Sequence, residues 1–124
     1  MLHKNEKLLL DGCHSNSAAQ NLVNYLRNIQ GPIYGIWGMQ KNKLPEKFIK
    51  NFKGIFKKIV TIKIPNEPNA LSSTELKKIC NKNNYKSEEA KNIKNALSMI
   101  SSKENKTIVV FGSLFLCGSC LSKN

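Results

Sequence analysis

Residues 11–14 read Asp-Gly-Cys-His, between the apolar run Leu8-Leu9-Leu10 and a small-residue segment that opens an apolar helical period. An acid and an imidazole three residues apart at a strand end suit an anionic or nucleotide ligand. The imidazole can donate to a phosphate or carboxylate, the acid can accept from ribose hydroxyls, and a following helix offers backbone N–H groups to negative charge. The same residues also serve plain structure, Asp11 as a turn former and His14 or Ser15 as a helix cap. Spacing leaves both readings open. Ser113, in Phe111-Gly112-Ser113, is the second candidate: a Gly-Ser at a strand end offers N–H groups and a hydroxyl to a carboxylate, or simply caps a helix. Cys117-Gly118-Ser119-Cys120 is a CxxC, and Cys13, His14 and Cys80 could be added to it for redox or zinc chemistry. A structural zinc site needs a second closely spaced ligand pair, which the sequence lacks, so Cys117 and Cys120 read as small packing residues on a C-terminal helix. No glycine is followed by lysine, so the chain carries no P-loop of its own.

The elements that must position these residues alternate between apolar runs and helical periods, with no linker or repeat. Lys7–Gly12 reads as a short buried strand, and Ala18, Ala19, Leu22, Val23 and Leu26 fall on one face of a following helix. Gly31-Pro32 breaks the chain. Ile33–Met39 is a second strand, and Pro45 opens a helix that turns Phe48, Ile49 and Phe52 inward. The stretch from Lys57 to Pro65 is the third strand. Ser72 and Glu75 form a capping box for a helix containing Leu76 and Ile79, which residues 81–84 end. Ser87-Glu88-Glu89 reads as the acidic start of another helix, with Ala90, Ile93, Leu97 and Ile100 on its buried stripe. Thr107–Gly112 is the final strand, and its continuous β-branched character implies cover on both faces. The pattern predicts a layered α/β fold with a mostly parallel sheet. In such folds ligands gather at the carboxyl ends of the strands, where Asp11–His14, Trp37–Lys43 and Phe111–Phe115 all sit.

Composition narrows the classes. A chain of 124 residues with 40% hydrophobic content predicts one domain. No stretch has the roughly 18–20 apolar residues of a membrane span, and the N-terminal apolar segment is too short for a signal peptide, so a cytoplasmic protein with reduced thiols is expected. The formal charge of +12 invites a nucleic-acid reading. Yet nineteen of the twenty basic residues are lysines scattered along the chain, and Arg27 is the sole guanidinium, the group that base and phosphate recognition favours. Lys, Asn and Ile supply 47 of the 124 residues, which points to nucleotide bias written onto a tolerant surface.

Three segments, in order, resemble one family. LLLDGCHSNSAAQNL is similar to the strand, loop and helix that open the C-terminal domain of folylpolyglutamate synthase / dihydrofolate synthase, a branch of the Mur ligase superfamily. WGMQKNK resembles its second loop, IPNEPNALSSTEL the connection after its third strand, and TIVVFGSLFLCGSCL its closing Gly-Ser-Leu-Tyr-Leu-Ala-Gly segment. The resemblance covers essentially all 124 residues. It implies a Rossmann-like three-layer αβα domain with a mostly parallel sheet. In the complete enzyme it also implies ATP and Mg²⁺, which turn a folate or dihydropteroate carboxylate into an acyl phosphate that the glutamate amine attacks. By position, Asp11 would face the nucleotide, His14 and Ser113 would line the glutamate site, and Lys41 and Lys43 would sit in a cleft-facing loop.

The chain departs from the family pattern in two loops. Asp-Gly-Ala-His-Asn-Pro becomes Asp11-Gly12-Cys13-His14-Ser15-Asn16, and Asp-Lys-Asp becomes Asn42-Lys43-Leu44. Cys117 and Cys120 replace mostly small residues, in line with packing. The P-loop, the metal-binding residues and most of the folate site belong to an N-terminal ATP-binding domain that the resemblance does not place in this chain. No catalytic residue or metal ligand is expected here. The expectation is either half of a split ligase that docks onto a separately encoded ATP-binding half, or a remnant without activity; a basic nucleic-acid-binding module is the remaining alternative.

Overall fold

The apolar runs of the sequence become strands, and helices on both faces of the sheet cover them. A computed structural model describes residues 6–100, 102, 104–113 and 116. In chain order the elements are β1 (Glu6–Asp11), α1 (Asn16–Leu26), β2 (Ile33–Trp37), a 3₁₀ turn (Lys41–Lys43), α2 (Pro45–Lys50), β3 (Lys58–Thr61), α3 (Ser73–Lys82), β4 (Ser87–Glu89), α4 (Ile93–Ile100) and β5 (Lys106–Phe111). The five strands form one sheet in the order β1-β5-β2-β3-β4, and every pairing is parallel.

The strand order dictates the layers. From β2 to β4 the chain steps one way across the sheet, and from β4 it returns to insert β5 between β1 and β2. Right-handed crossovers place helices on one face while the chain advances and on the other when it reverses. Accordingly α1, α2 and α3 pack with Ile33, Trp37, Ile59, Val109 and Phe111 on one face. On the other, α4 and Leu116 pack with Ile36, Val60, Ile108 and Val110. This is the three-layer α/β fold that the sequence pattern predicts. β5 is buried along its whole length, because it lies inside the sheet with both faces covered.

Most element starts follow local chemistry. Ser15 caps α1, its Oγ accepting from the Ala18 N–H, and α1 turns Ala19, Leu22, Val23 and Leu26 inward. Burying each of the two leucines and the valine stabilises the fold by about 1.5–3 kcal/mol. Pro45 is the first residue of α2, and Ser72 and Glu75 complete the capping box of α3. The Ser72 N–H donates to Glu75 Oε1 at 3.0 Å, and hydrogen bonding to Ser72, its backbone before its side chain and both more than any neighbouring charge, lowers the Glu75 pKa. The end of α3 at Asn83 and Asn84, the latter with φ +64°, matches the sequence reading.

One element differs. Ser87-Glu88-Glu89 is not the start of a helix but the short edge strand β4, paired with Ile59, Val60 and Thr61. Backbone bonds from Ile59 N–H to the Lys86 carbonyl and from Ala90 N–H to the Thr61 carbonyl frame it. Glu89 is fixed by side chains of α3 rather than by a helix dipole: Thr74 Oγ1 donates to its Oε1 at 2.8 Å and Ser73 Oγ at 3.0 Å, and these bonds lower its pKa. The helix starts later, at Ile93, with Asn92 Oδ1 accepting from the Asn95 N–H at 2.8 Å. β3 is also shorter than expected: it ends at Thr61, with the Ile62 N–H still bonded to the Trp37 carbonyl of β2.

At the amino end of the sheet, Glu6 and Lys106 face each other in register and form an ion pair at 3.4 Å, with side chains 0% and 1% exposed. Lys106 Nζ also donates to the Ile100 carbonyl at 2.8 Å and to Ser102 Oγ, and it lies 5.2 Å from the Tyr34 ring centroid. The Ser102 N–H donates to Glu6 Oε2. Charges buried this deeply hold only while both are present. Lys106→Met removes the buried cation that faces Glu6 and is expected to cost about 3–5 kcal/mol in urea unfolding at pH 7. A loss below about 1 kcal/mol would show that the pair contributes little.

Candidate functional site

In a parallel sheet all carboxyl ends lie on one rim, and register fixes which residues meet there. Asp11 pairs with Phe111, Phe111 with Trp37, and Trp37 with Thr61, so these four close the sheet at one level. The loops after β1, β5 and β2 therefore leave side by side. Crevices open at such a rim where neighbouring strands send their connections to opposite faces. β5 is that strand: the loops from β1 and β2 lead to helices on one face, whereas Leu116, beyond β5, packs on the other.

Asp11 is half-buried, and its Oδ1 accepts from the Cys13 N–H at 2.9 Å, the hydrogen bond of a turn-forming aspartate. The cap of α1 is Ser15, which leaves His14 out of that role; His14 is half-buried and makes no hydrogen bond among the described residues. The first turn of α1 carries no acid, so its N–H groups present an uncompensated positive end beside this loop. Ser113 stands two residues past Phe111 on the same rim, but it is 2% exposed, so its hydroxyl is covered rather than presented to solvent. Lys41 is exposed and Lys43 half-buried, both in the 3₁₀ turn after β2. This turn is tied toward β3: the Lys41 N–H donates to the Asn69 carbonyl at 2.7 Å, the Leu71 N–H to the Met39 carbonyl, and Gln40 bridges Ala70. The rim thus gathers Asp11, His14 and Ser113 on the neighbouring strands β1 and β5, with the lysine turn displaced to their β3 side.

Two residues of the rim were not singled out by sequence reasoning. Gly112 has φ +107°, and a Cβ there would stand 2.2 Å from the Gly38 carbonyl oxygen and 2.9 Å from Trp37 Nε1. The backbone before Ser113 lies directly on the indole. That indole N–H is fully buried and has no hydrogen-bond partner, the one such side-chain atom among the described residues. The lone tryptophan at a strand end was the signal available for it.

The other reactive side chains are set for packing. Cys13 and Cys80 are buried, and burial pushes the Cys80 thiol up to about 12, away from thiolate chemistry at neutral pH. Cys117 and Cys120 lie outside the described residues. Among the described residues no three His, Cys, Asp or Glu side chains come together as a metal site, and no helix is long and apolar enough to cross a membrane. The donors and acceptors at the rim suit contact with an anion and a hydroxyl-bearing group, and they provide no triphosphate cradle.

Comparison with known proteins gives the chain its family. The family model for the dihydrofolate synthetase C-terminal domain matches residues 1–123. The chain belongs to that family. Among solved structures, a bifunctional folylpolyglutamate synthase/dihydrofolate synthase from Yersinia pestis superposes with a TM-score of 0.84 at 18% identity, over 98% of this chain and 29% of that one. A Mycobacterium tuberculosis folylpolyglutamate synthase complexed with ADP and AMPPCP gives 0.81 at 16%, over 94% and 29%. The Thermotoga maritima folylpolyglutamate synthase gives 0.75 at 28%, over 93% and 27%. No curated protein matches the chain in sequence. This dihydrofolate synthetase C-terminal domain therefore spans under a third of the solved chains it resembles.

The family setting gives the altered loops a physical meaning. Leu44, which stands where the family pattern has a second acid, is 62% exposed, sits at φ 54°, ψ 62°, and gives α2 no side-chain cap. A left-handed conformation costs an L-residue roughly 1–2 kcal/mol. Leu44→Gly should therefore raise the stability of the domain by about 1 kcal/mol, read as a higher urea midpoint, since the exposed leucine has little packing to lose. Gly112→Ala should do the opposite. It is expected to cost about 2–5 kcal/mol and to alter near-ultraviolet circular dichroism from Trp37, because the new methyl group has no space beside the indole.

Proposed function

We propose that this domain is the C-terminal half of an ATP-dependent ligase that joins L-glutamate to a folate or dihydropteroate carboxylate. It would work in the cytoplasm and only together with an ATP-binding half, encoded separately or elsewhere in a longer chain. The family match over residues 1–123 carries this reading. Rim geometry supports it, because strand pairing brings Asp11 and Ser113 to adjacent strand ends.

The residues present fit one side of a nucleotide site and no more. With no Gly-Lys pair and no acidic metal cluster among the described residues, ATP and Mg²⁺ would be held mainly by the other half. When bound, they supply the activation that a carboxylate needs before an amine can attack it. On this chain Asp11, whose second oxygen is not used by the Cys13 turn, would accept from the nucleotide's hydroxyls. His14 and the positive end of α1 would face the glutamate carboxylates, and Ser113 would join them where docking opens the covered rim. Lys41 and Lys43 would flank the cleft. These side chains bind and orient; none is proposed to move a proton.

Leu44 favours a second reading, a folded remnant without activity, since an exposed leucine held in left-handed backbone suggests a loop whose original contacts are gone. Mixing the chain with an ATP-binding half separates the two. With ATP, Mg²⁺, glutamate and either dihydropteroate or a folate, phosphate release should require both polypeptides, and Asp11→Ala should lower it at least tenfold. No release with either acceptor would give the remnant reading precedence, as would release that Asp11→Ala and Ser113→Ala leave unchanged.

A further inference from the structure

β1 is the outermost strand of the sheet, and its one neighbour among the described strands is β5. Among the described residues no strand covers its outer edge, a row of peptide groups able to pair with another strand. Native edges are commonly blunted by proline, bulges or inward charges, but Leu8, Leu9 and Leu10 run along this one, all half-exposed. Two hollows flank the strand on its α1 side, of about 860 and 440 Å³. They share Leu9 and Tyr25 in their walls, and Tyr25 is 58% exposed.

We propose that β1 pairs with β1 of a second copy of this chain, antiparallel, about a two-fold axis through Leu9. The charge pattern selects both occupant and register. Along β1, Leu9 packs toward α1, while Leu8 and Leu10 pack toward α4. An axis normal to the sheet keeps these faces aligned, so opposed residues must point the same way. Three registers near the strand centre satisfy this. Centred on Leu8, Lys7 opposes Leu9 and Glu6 opposes Leu10; centred on Leu10, Asp11 opposes Leu9. Centred on Leu9, Lys7 of each copy meets Asp11 of the other, Leu8 meets Leu10, and Leu9 meets itself. That register alone sets opposite charges together twice and leaves apolar residues against apolar ones. An isologous interface requires this self-complementarity. Lys7 is exposed and free to reach across.

Five paired residues per strand make a small interface, so the dimer should be weak, half-formed at protein concentrations on the order of 10–100 μM. It is also exclusive: an Asp11 carboxylate paired with Lys7 of the second copy is not open to a nucleotide at that protomer.

Sedimentation equilibrium at 0.15 M salt tests the pairing. The chain should show a reversible dimer, and Lys7→Glu, which sets Glu against Asp11 twice, should weaken it at least tenfold with no change in melting temperature. An equimolar mixture of Lys7→Glu and Asp11→Lys chains should recover the dimer that neither forms alone. Because Asp11→Lys also removes the turn bond to Cys13, amide exchange gives a second measurement. Exchange at those Leu8–Leu10 N–H groups that point away from β5 should slow with increasing protein concentration in the unaltered chain and not in Lys7→Glu. A monomer up to about 1 mM overturns the proposal, as does a dimer that Lys7→Glu leaves equally tight. Slow exchange of those outward N–H groups at every concentration also overturns it, by assigning the edge to another strand of the same polypeptide.

Discussion

The Phe111 ring occupies space that Gly35 leaves free on the neighbouring strand, and that contact governs the shape of the candidate site. A Cβ at Gly35 would stand 2.8 Å from Phe111 Cε1 and 3.2 Å from the Phe56 ring. With the space open, Phe111 reaches into an aromatic group formed by Trp37, Phe48, Phe52 and Phe56, with centroids 4.9–6.3 Å from its own. β5 is thereby fixed against β2 at the level of the rim, and Gly112, the next residue, is pressed onto the Trp37 indole. The position of Ser113 follows from this packing, since the two residues before it have almost no freedom. Contacts of this type add roughly 0.5–1.5 kcal/mol per ring pair beyond burial, and a group of five rings fixes geometry as well as stability.

Much of this was legible in the sequence because its signals are local. Ser15, Pro45 and the Ser72–Glu75 pair mark helix starts by satisfying orphan backbone N–H groups, and those needs do not depend on the rest of the fold. The continuous β-branched run ending in Phe111 foretold a strand with both faces covered. The rim followed from parallel pairing, since alternation of strand and helix leaves the carboxyl ends together. For Asp11 and Ser15 the plain structural roles are the ones observed, a turn bond and a cap. Neither excludes a ligand, since Asp11 retains a second oxygen and His14 is left unclaimed by the cap.

What the sequence could not convey was long-range. Ser87-Glu88-Glu89 carries the composition of a helix start, and acids near an N-terminus normally favour one. Here pairing with Ile59–Thr61 and two hydroxyl donors from α3 outweighed that preference, and no window of neighbouring residues contains either partner. The burial of Ser113 and the unpaired Trp37 N–H are likewise products of the aromatic packing. Both need the coordinates of at least three strands to be seen.

The two ends of the sheet differ in how their polar groups are matched. At the amino end, Glu6 and Lys106 form a buried pair completed by the Ile100 carbonyl and Ser102, so charge there is matched and shut away from water. At the carboxyl end, an orphan indole N–H, a left-handed glycine and a helix start without acids leave polar capacity unspent. A buried donor without a partner costs about 1–3 kcal/mol. The aromatic packing at that same rim offsets the cost. Asn42 and Leu44 lie in a surface turn that these interior interactions do not need, so that loop can change while the frame that would hold a ligand stays in place.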